Sequence, residues 1–361
     1  MRVLFIITGL GMGGAERQLC DIVDELLSLG NTVLIISLTG ELVNQPQHER
    51  AVIINLKMSK NPIGFLSAYF KARKILKKFM PDVVHSHMFH ANIFARLLRM
   101  TFPINKLICT AHSKNEGGWL RMFLYRCTNF CADLTTNVSR EAVDSFIKKK
   151  AFSVKKSCSM YNGIDTDLFK YNKNWRESRR KELNIDEYSP LLLSVGRLTE
   201  AKDYPNLLNA FAVLSLNPKP HLAIIGAGEL EIQLKQEAMR LGIEERVYWL
   251  GMTKDVAEWY SACDLFVLSS QWEGFGLVVA EAMSCERPIV VTDAGGVAEV
   301  VCNPQLVVPV GDSKILSEKI VEVLHYPKDE MDTILSNNRQ RVIDNFSIKK
   351  ITQQWLRIYK D

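Results

Sequence analysis

Two carboxylates, Glu273 and Glu281, bracket the run Glu273-Gly274-Phe275-Gly276-Leu277-Val278-Val279-Ala280-Glu281. The first sits in a glycine-rich turn after the strand-like Leu265-Phe266-Val267-Leu268, and the second follows an apolar segment of helical character. The pair therefore marks a strand-to-helix junction. Free backbone N–H groups and the positive end of a helix dipole attract an anion there, while carboxylates accept hydrogen bonds from hydroxyls. A ligand bearing both phosphate and sugar suits that chemistry.

Arg197 and Lys202, in Gly196-Arg197-Leu198-Thr199-Glu200-Ala201-Lys202, follow another strand-like run. Two cations so spaced can both reach one diphosphate. Alone they would be an ordinary surface pair; with Glu273 and Glu281 in the same sheet topology they read as part of a binding site. His112, in Cys109-Thr110-Ala111-His112-Ser113, leaves a strand for a polar loop, a place suited to hydrogen bonding with a substrate. His85, His87 and His90 cluster after Asp82-Val83-Val84, but no cysteine or carboxylate nearby completes a zinc set, so a core or supporting role is expected.

Gly9-Leu10-Gly11-Met12-Gly13-Gly14 has the form of a dinucleotide fingerprint. The acidic residue expected at the end of the second strand is missing, since Val33 to Leu38 runs into Thr39-Gly40 and Glu41 comes late. Two readings stand: a turn for tight strand–helix packing, or a loop whose N–H groups approach a phosphate or an acceptor. Asp165-Thr166-Asp167 resembles a metal-binding DxD but lies in a turn, where Asp more often bonds its own backbone. No metal is expected there.

Such residues need strand ends to hold them. Strand-like runs alternate with amphipathic helical stretches in both halves, the pattern of parallel sheets wound with helices. The spacing predicts strands at 3–7, 33–38, 52–56, 82–85, 107–110 and 133–137, then at 191–195, 221–225, 247–250, 264–268, 289–291 and 306–308. Two doubly wound α/β domains follow, with a cleft between them as the expected site, because ligands of open sheets bind at the carboxyl ends of the strands. The polar stretch from Lys170 to Glu187 shows no strand pattern and begins after the turn-rich Asn162-Gly163-Ile164-Asp165, which places the linker there. Ile348 to Tyr359 carries Trp355, Leu356 and Ile358 at helical spacing and is expected to pack back on the first domain.

With 361 residues the chain can bury two cores, and 47% hydrophobic with 24% charged residues is a globular composition. No apolar run approaches the roughly 20 residues that span a bilayer. Val3-Leu4-Phe5-Ile6-Ile7 reads as a buried strand and not as a signal peptide, so a cytoplasmic location is expected. The eight cysteines are scattered, with only Cys127 and Cys131 near each other, and read as reduced thiols. Charge is uneven: Lys and Arg outnumber Asp and Glu 22 to 12 through Asp165, and trail 23 to 28 beyond it. The basic half points to an anionic partner. Lys71, Arg73, Lys74, Lys77 and Lys78 alternate with Phe65, Leu66, Tyr69, Phe70, Ile75, Leu76 and Phe79, and Trp119 to Arg126 mixes aromatics with arginine. These are either packed helices with solvated cationic faces or a face that docks on an anionic bilayer.

Gly13-Gly14-Ala15-Glu16, His112, Asn162-Gly163-Ile164-Asp165, Gly196-Arg197 with Lys202, the Glu273 and Glu281 pair, and Gly295-Gly296-Val297-Ala298-Glu299-Val300-Val301 together resemble the family 4 glycosyltransferases over nearly the whole chain. The resemblance implies a GT-B fold. Its N-terminal acceptor domain would be 1–168, its C-terminal nucleotide-sugar domain 186–345, the linker 169–185, and a terminal helix about 346–361 would return to the first domain. Arg197 and Lys202 would neutralise the donor diphosphate, Glu281 would hold the ribose hydroxyls, and Glu273 the hydroxyls of the transferred sugar. Gly274, Phe275, Gly276 and Leu277 would form the donor-binding turn, with the N–H groups of Phe275 and Gly276 at the sugar and phosphates. His112 would lie beside the sugar ring, and Gly13, Gly14 and Glu16 would line the acceptor side.

The same resemblance implies no cofactor and no divalent metal. The expected donor is a UDP-sugar, and the expected acceptor a polyprenyl-diphosphate-linked glycan of a bacterial surface polysaccharide such as O-antigen or capsule. The protein would sit peripherally on the inner face of the cytoplasmic membrane, without a nucleic-acid partner. The acceptor hydroxyl would attack on the face that the diphosphate leaves, so that the donor's α-configuration is retained. Three rivals stand: a nicotinamide-dependent oxidoreductase, a non-catalytic nucleotide-sugar scaffold, and an epimerase acting on the nucleotide sugar alone.

Overall fold

Val3 to Ile7 are fully buried, as befits a strand in the interior of a parallel sheet, which is covered on both faces and reads as an unbroken apolar run. The structure, a computed structural model, describes residues 1–114 and 116–361. It divides into two units, Met1–Gly163 with Ile348–Asp361, and Ile164–Ser347.

In the first unit the described strands are β1 (Arg2–Ile7), β2 (Thr32–Ser37), β3 (Val52–Asn55), β4 (Val83–His87), β5 (Leu107–Ala111), β6 (Leu134–Asn137) and β7 (Ser157–Ser159). They run parallel in the order β3-β2-β1-β4-β5-β6-β7. Chain direction across the sheet reverses between β1 and β4, the switch point where open sheets bind ligands at their carboxyl ends. Helix Gly14–Ser28 covers one face through Leu19, Ile22, Val23 and Leu26, whose spacing forms one stripe, and Ile351, Trp355 and Tyr359 of helix Ile348–Lys360 join that core. Helices Pro62–Phe79 and Phe89–Thr101 cover the other face through Ala68, Ala72 and Leu76 with Phe94, Ala95 and Leu98. The first of these starts where it does because Asn61 accepts the Gly64 N–H at 2.7 Å and Pro62 opens the first turn.

In the second unit β8 (Leu191–Val195), β9 (His221–Ile225), β10 (Val247–Gly251), β11 (Leu265–Leu268), β12 (Ile289–Thr292) and β13 (Val307–Val308) run parallel in the order β10-β9-β8-β11-β12-β13. Its switch point lies between β8 and β11.

The stretch 169–185, expected as a linker, belongs to the second unit and carries helix Lys173–Glu182. Asn172 caps it by accepting the N–H groups of Asn174 and Trp175. Arg176 and Arg180 donate to Asp264 at 2.5 and 3.0 Å, and Asp264 also accepts the Leu191 N–H at 2.8 Å where β8 begins. Polar contacts fasten this helix, so its sequence lacks the apolar stripe that would have announced it. Strand β7 and helix Arg140–Lys148 were likewise not anticipated.

Candidate functional site

The loops leaving β8 and β11 are stitched together at the second unit's switch point. Ser269 Oγ donates to the Lys202 carbonyl at 2.8 Å, and the Gln271 N–H to the Ala201 carbonyl at 2.9 Å. That stitching brings Lys202 Nζ onto Glu273 Oε1, which also accepts the Ser270 hydroxyl at 2.9 Å. The Glu273 N–H is fixed to the Ala294 carbonyl at 3.0 Å beyond the end of β12. The paired side chains are 18% and 14% exposed, so the ion pair is sheltered but reachable. Glu273 Oε2 takes no hydrogen bond from another described residue.

Arg197 lies on the same loop as Lys202 and is exposed, with no side-chain hydrogen bond or ion pair to another described residue. Its charge is therefore available to an anion. Glu281 lies in the second turn of helix Leu277–Ser284, only 6% exposed, and its Oε2 accepts the Tyr260 hydroxyl at 2.9 Å. Gly276 precedes the helix at φ 83°, a left-handed backbone that a side chain would strain. Phe275 is buried against Phe346 at 5.3 Å between ring centroids, which anchors the turn, while Gly274 and Leu277 are half-buried beside it. The structure thus joins Lys202 to Glu273 directly, and puts Arg197 and Glu281 on the loop and helix that leave the same two strands.

Gly226 and Gly228, just after β9, were not singled out in the sequence, yet they shape this site. A Cβ on Gly226 would stand 1.9 Å from the Gly196 carbonyl oxygen, and one on Gly228 2.3 Å from that of Leu198. Only bare backbone lets the β9 loop lie against the segment carrying Arg197. The signal was present as Gly226-Ala227-Gly228 at a strand end. Tyr204 completes the support by donating to the Gly196 carbonyl at 3.0 Å.

In the first unit, His85 and His87 of β4 and His112 after β5 form a stack, with ring centroids 4.1 Å apart for the first pair and 5.1 Å for the second. His85 shares hydrogen bonds with the hydroxyls of Tyr359 and Thr110, each at 2.7 Å. His87 Nδ1 and His112 Nε2 share one at 2.9 Å. Burial holds His85 and His87 well below the ordinary imidazole value and lowers His112 to about 4, so all three are neutral near pH 7. His90 is exposed and outside this stack. The loop after β5 is braced by Glu116, which accepts the His112 N–H at 3.2 Å and the Tyr125 hydroxyl at 2.6 Å; burial raises its carboxyl.

Gly13 caps helix Gly14–Ser28 with extended backbone, and a Cβ there would stand 2.4 Å from Glu16 Oε2. Glu16, in the first turn, thus folds back beside the helix N-terminus, where the dipole favours a carboxylate. Asp165 Oδ1 accepts the N–H groups of Asp167 and Leu168, each at 3.0 Å, the local turn bonding expected of it. Among the described residues no three His, Cys, Asp or Glu side chains are grouped to hold a metal ion, and no helix is long and apolar enough to cross a membrane.

Fold and site together define a protein of two doubly wound α/β units, the second of which carries Arg197, Lys202, Glu273 and Glu281 on the loops and helix that follow β8 and β11. Residues 12–168 match the family described as Glycosyltransferase Family 4, and residues 176–342 match Glycosyl transferases group 1. An uncharacterized glycosyltransferase of Methanocaldococcus jannaschii is 30% identical over 72% of this chain and 68% of its own length. The chain belongs to this glycosyltransferase family. It is also similar to the N-acetylgalactosamine-N,N'-diacetylbacillosaminyl-diphospho-undecaprenol 4-alpha-N-acetylgalactosaminyltransferase of Campylobacter jejuni, 28% identical over 80% of this chain and 79% of the relative. The UDP-Gal:alpha-D-GlcNAc-diphosphoundecaprenol alpha-1,3-galactosyltransferase of Escherichia coli is 26% identical over 85% of this chain and 81% of its own. Crystalline HepE of Anabaena, in complex with UDP, superposes with a TM-score of 0.87 at 23% identity over the whole of both chains, which establishes the fold as GT-B.

Proposed function

We propose that this enzyme moves a hexose or N-acetylhexosamine from a UDP-sugar to a polyprenyl-diphosphate-linked oligosaccharide during assembly of a bacterial surface polysaccharide. The observation that carries the reading is the pairing of Glu273, after β11, with Lys202, on the loop after β8 that also presents the unpaired Arg197. Diphosphate, sugar hydroxyl and ribose each find a complementary group: the two cations, Glu273 Oε2 and Glu281. Two relatives bear names that specify undecaprenyl-diphosphate-linked substrates, and one of them a UDP-sugar, which supports the same classes here.

Negative charge grows on the leaving diphosphate as the anomeric bond breaks, so fixed cations beside it are the largest contribution expected to the rate. The acceptor hydroxyl attacks on the face that the diphosphate leaves, and the diphosphate takes its proton, with retention and without a metal. The first-unit glycine loop, with Glu16 folded back beside Gly13 and no acidic residue at the end of β2, is read as facing an acceptor hydroxyl and not a nicotinamide dinucleotide. Ile63, Leu66 and Phe70 point outward from helix Pro62–Phe79 at 81%, 52% and 62% exposure, next to Lys71 and Lys74, and serve to dock the enzyme on an anionic membrane.

Acceptor-dependent release of UDP tests the proposal. A panel of UDP-sugars is incubated with and without synthetic polyprenyl-diphosphate glycans, and free UDP is measured. Release that requires both partners is expected. Sugar interconversion without acceptor would instead make the protein an epimerase, and donor binding with no release under any pairing would make it a scaffold.

A further inference from the structure

His87 stands at the first unit's switch point, pairing with Ile7 of β1 and Thr110 of β5 in the strand register. It is 1% exposed and has His85 at 4.1 Å and Phe5 at 5.6 Å between ring centroids. Its Nδ1 lies 2.9 Å from His112 Nε2. A bond between two neutral imidazoles needs an N–H on one ring and a lone pair on the other, so two tautomer pairs are open. The remaining nitrogens, His87 Nε2 and His112 Nδ1, are buried and lack a hydrogen-bond partner.

The two pairs differ in where they leave an unsatisfied N–H. If His112 donated, the orphan N–H would fall on His87 Nε2, inside the sheet. Buried N–H groups without an acceptor are the rarest of unsatisfied groups, rarer than under-used acceptors. If His87 donates, its Nε2 buries only a lone pair, and the N–H falls on His112 Nδ1, in a half-buried residue on the loop after β5. Both nitrogens are buried, but His112 lies on a loop at the carboxyl end of the sheet, where a ligand that enters beside it can supply the acceptor, whereas His87 is enclosed within the sheet. The backbone of His112 is held as well, because Glu116 accepts its N–H and is itself held by Tyr125, to whose hydroxyl Asn92 Nδ2 donates at 2.9 Å.

We propose that His87 is a positioning residue: its Nδ1–H donates to His112 Nε2 and fixes His112 as the Nδ1–H tautomer, a hydrogen-bond donor to a substrate oxygen and not a proton acceptor. The identity of that oxygen, on the transferred sugar or the acceptor, rests on the glycosyl-transfer reading; the tautomer does not.

Histidine-selective 15N labelling with long-range 1H–15N correlation reads the tautomer directly, with His112→Gln identifying the signal. Protonated Nδ1 and bare Nε2 are expected for His112 in the wild type. His87→Phe keeps the ring volume but removes the donor; His112 is then expected to change to the Nε2–H form, with turnover down about 10-fold, the scale of one orienting hydrogen bond. His87→Asn, whose amide restores an N–H near the same place, is expected to recover both. A wild-type His112 protonated on Nε2, or a His87→Phe protein with tautomer and turnover unchanged, would overturn the proposal. Wild-type protein with the expected resonances but no sugar transfer to any acceptor would count against the glycosyl-transfer reading and leave the tautomer assignment standing.

Discussion

Arg197 and Lys202 carry the same charge in different surroundings. Arg197 is exposed and unpaired, so Arg197→Ala should shift stability by no more than about 0.5 kcal/mol while cutting turnover roughly 100- to 1,000-fold, the loss typical of removing one donor from a developing oxyanion. Lys202 is ion-paired and largely sheltered, so Lys202→Ala should lose turnover and also about 1–3 kcal/mol of stability, since Glu273 is left without its cation. Removing Glu273 in the same protein should restore stability and not activity. Thermal melts beside rate measurements decide this; equal melting losses in the two single variants would contradict it. The residue types of this site were legible as a chemical set, but the pairing of Lys202 with Glu273 was not, because it depends on which strands become neighbours. Ser270 and Tyr260, which orient the two carboxylates, carry no local signal at all.

Strand ends are where this fold does its work, and their glycines and histidines have measurable consequences. Gly226→Ala places a methyl group against the Gly196 carbonyl and must displace the segment that carries Arg197. It should weaken UDP binding about 10-fold or more and lower the melting temperature; unaltered UDP affinity would show that the segment is not positioned this way. In the first unit, His85, His87 and His112 remain neutral when folded, whereas the unfolded chain binds a proton near 6.5. The unfolded state therefore holds more protons as pH falls from about 6.5 toward 4, and stability drops across that window. Glu116, raised by burial, works in the opposite sense, but one carboxyl opposes three imidazoles. Melting temperature should fall between about pH 7 and about pH 5; a rise would contradict the stack's neutrality. Most strands were legible from apolar runs, since parallel strands are buried on both faces. Helix Lys173–Glu182 was not, because Asp264 and the cap at Asn172 hold it in place of an apolar stripe.

Across the whole molecule, the net positive charge arises from the first 165 residues, and part of it lies beside exposed apolar side chains on helix Pro62–Phe79. Anionic vesicles should sediment the protein and neutral ones should not, with added salt reversing the effect. Replacing Lys71, Lys74 and Lys77 by alanine should weaken vesicle binding roughly 100-fold, at about 1 kcal/mol for each cation. Sedimentation indifferent to lipid charge would leave those residues as a solvated face only. The division into two doubly wound halves was legible because each repeats the same strand–helix rhythm. That the segment 169–185 belongs to the second unit emerged only with the tertiary contacts. The most direct test of the donor site is calorimetric titration of UDP, with a chelator present, into wild type, Arg197→Ala and Glu281→Ala. Binding by the wild type without added metal, weakened about 10-fold or more in both variants, is the expected result. Equal affinity in all three proteins, or no UDP binding alongside saturable binding of NADH, would contradict it.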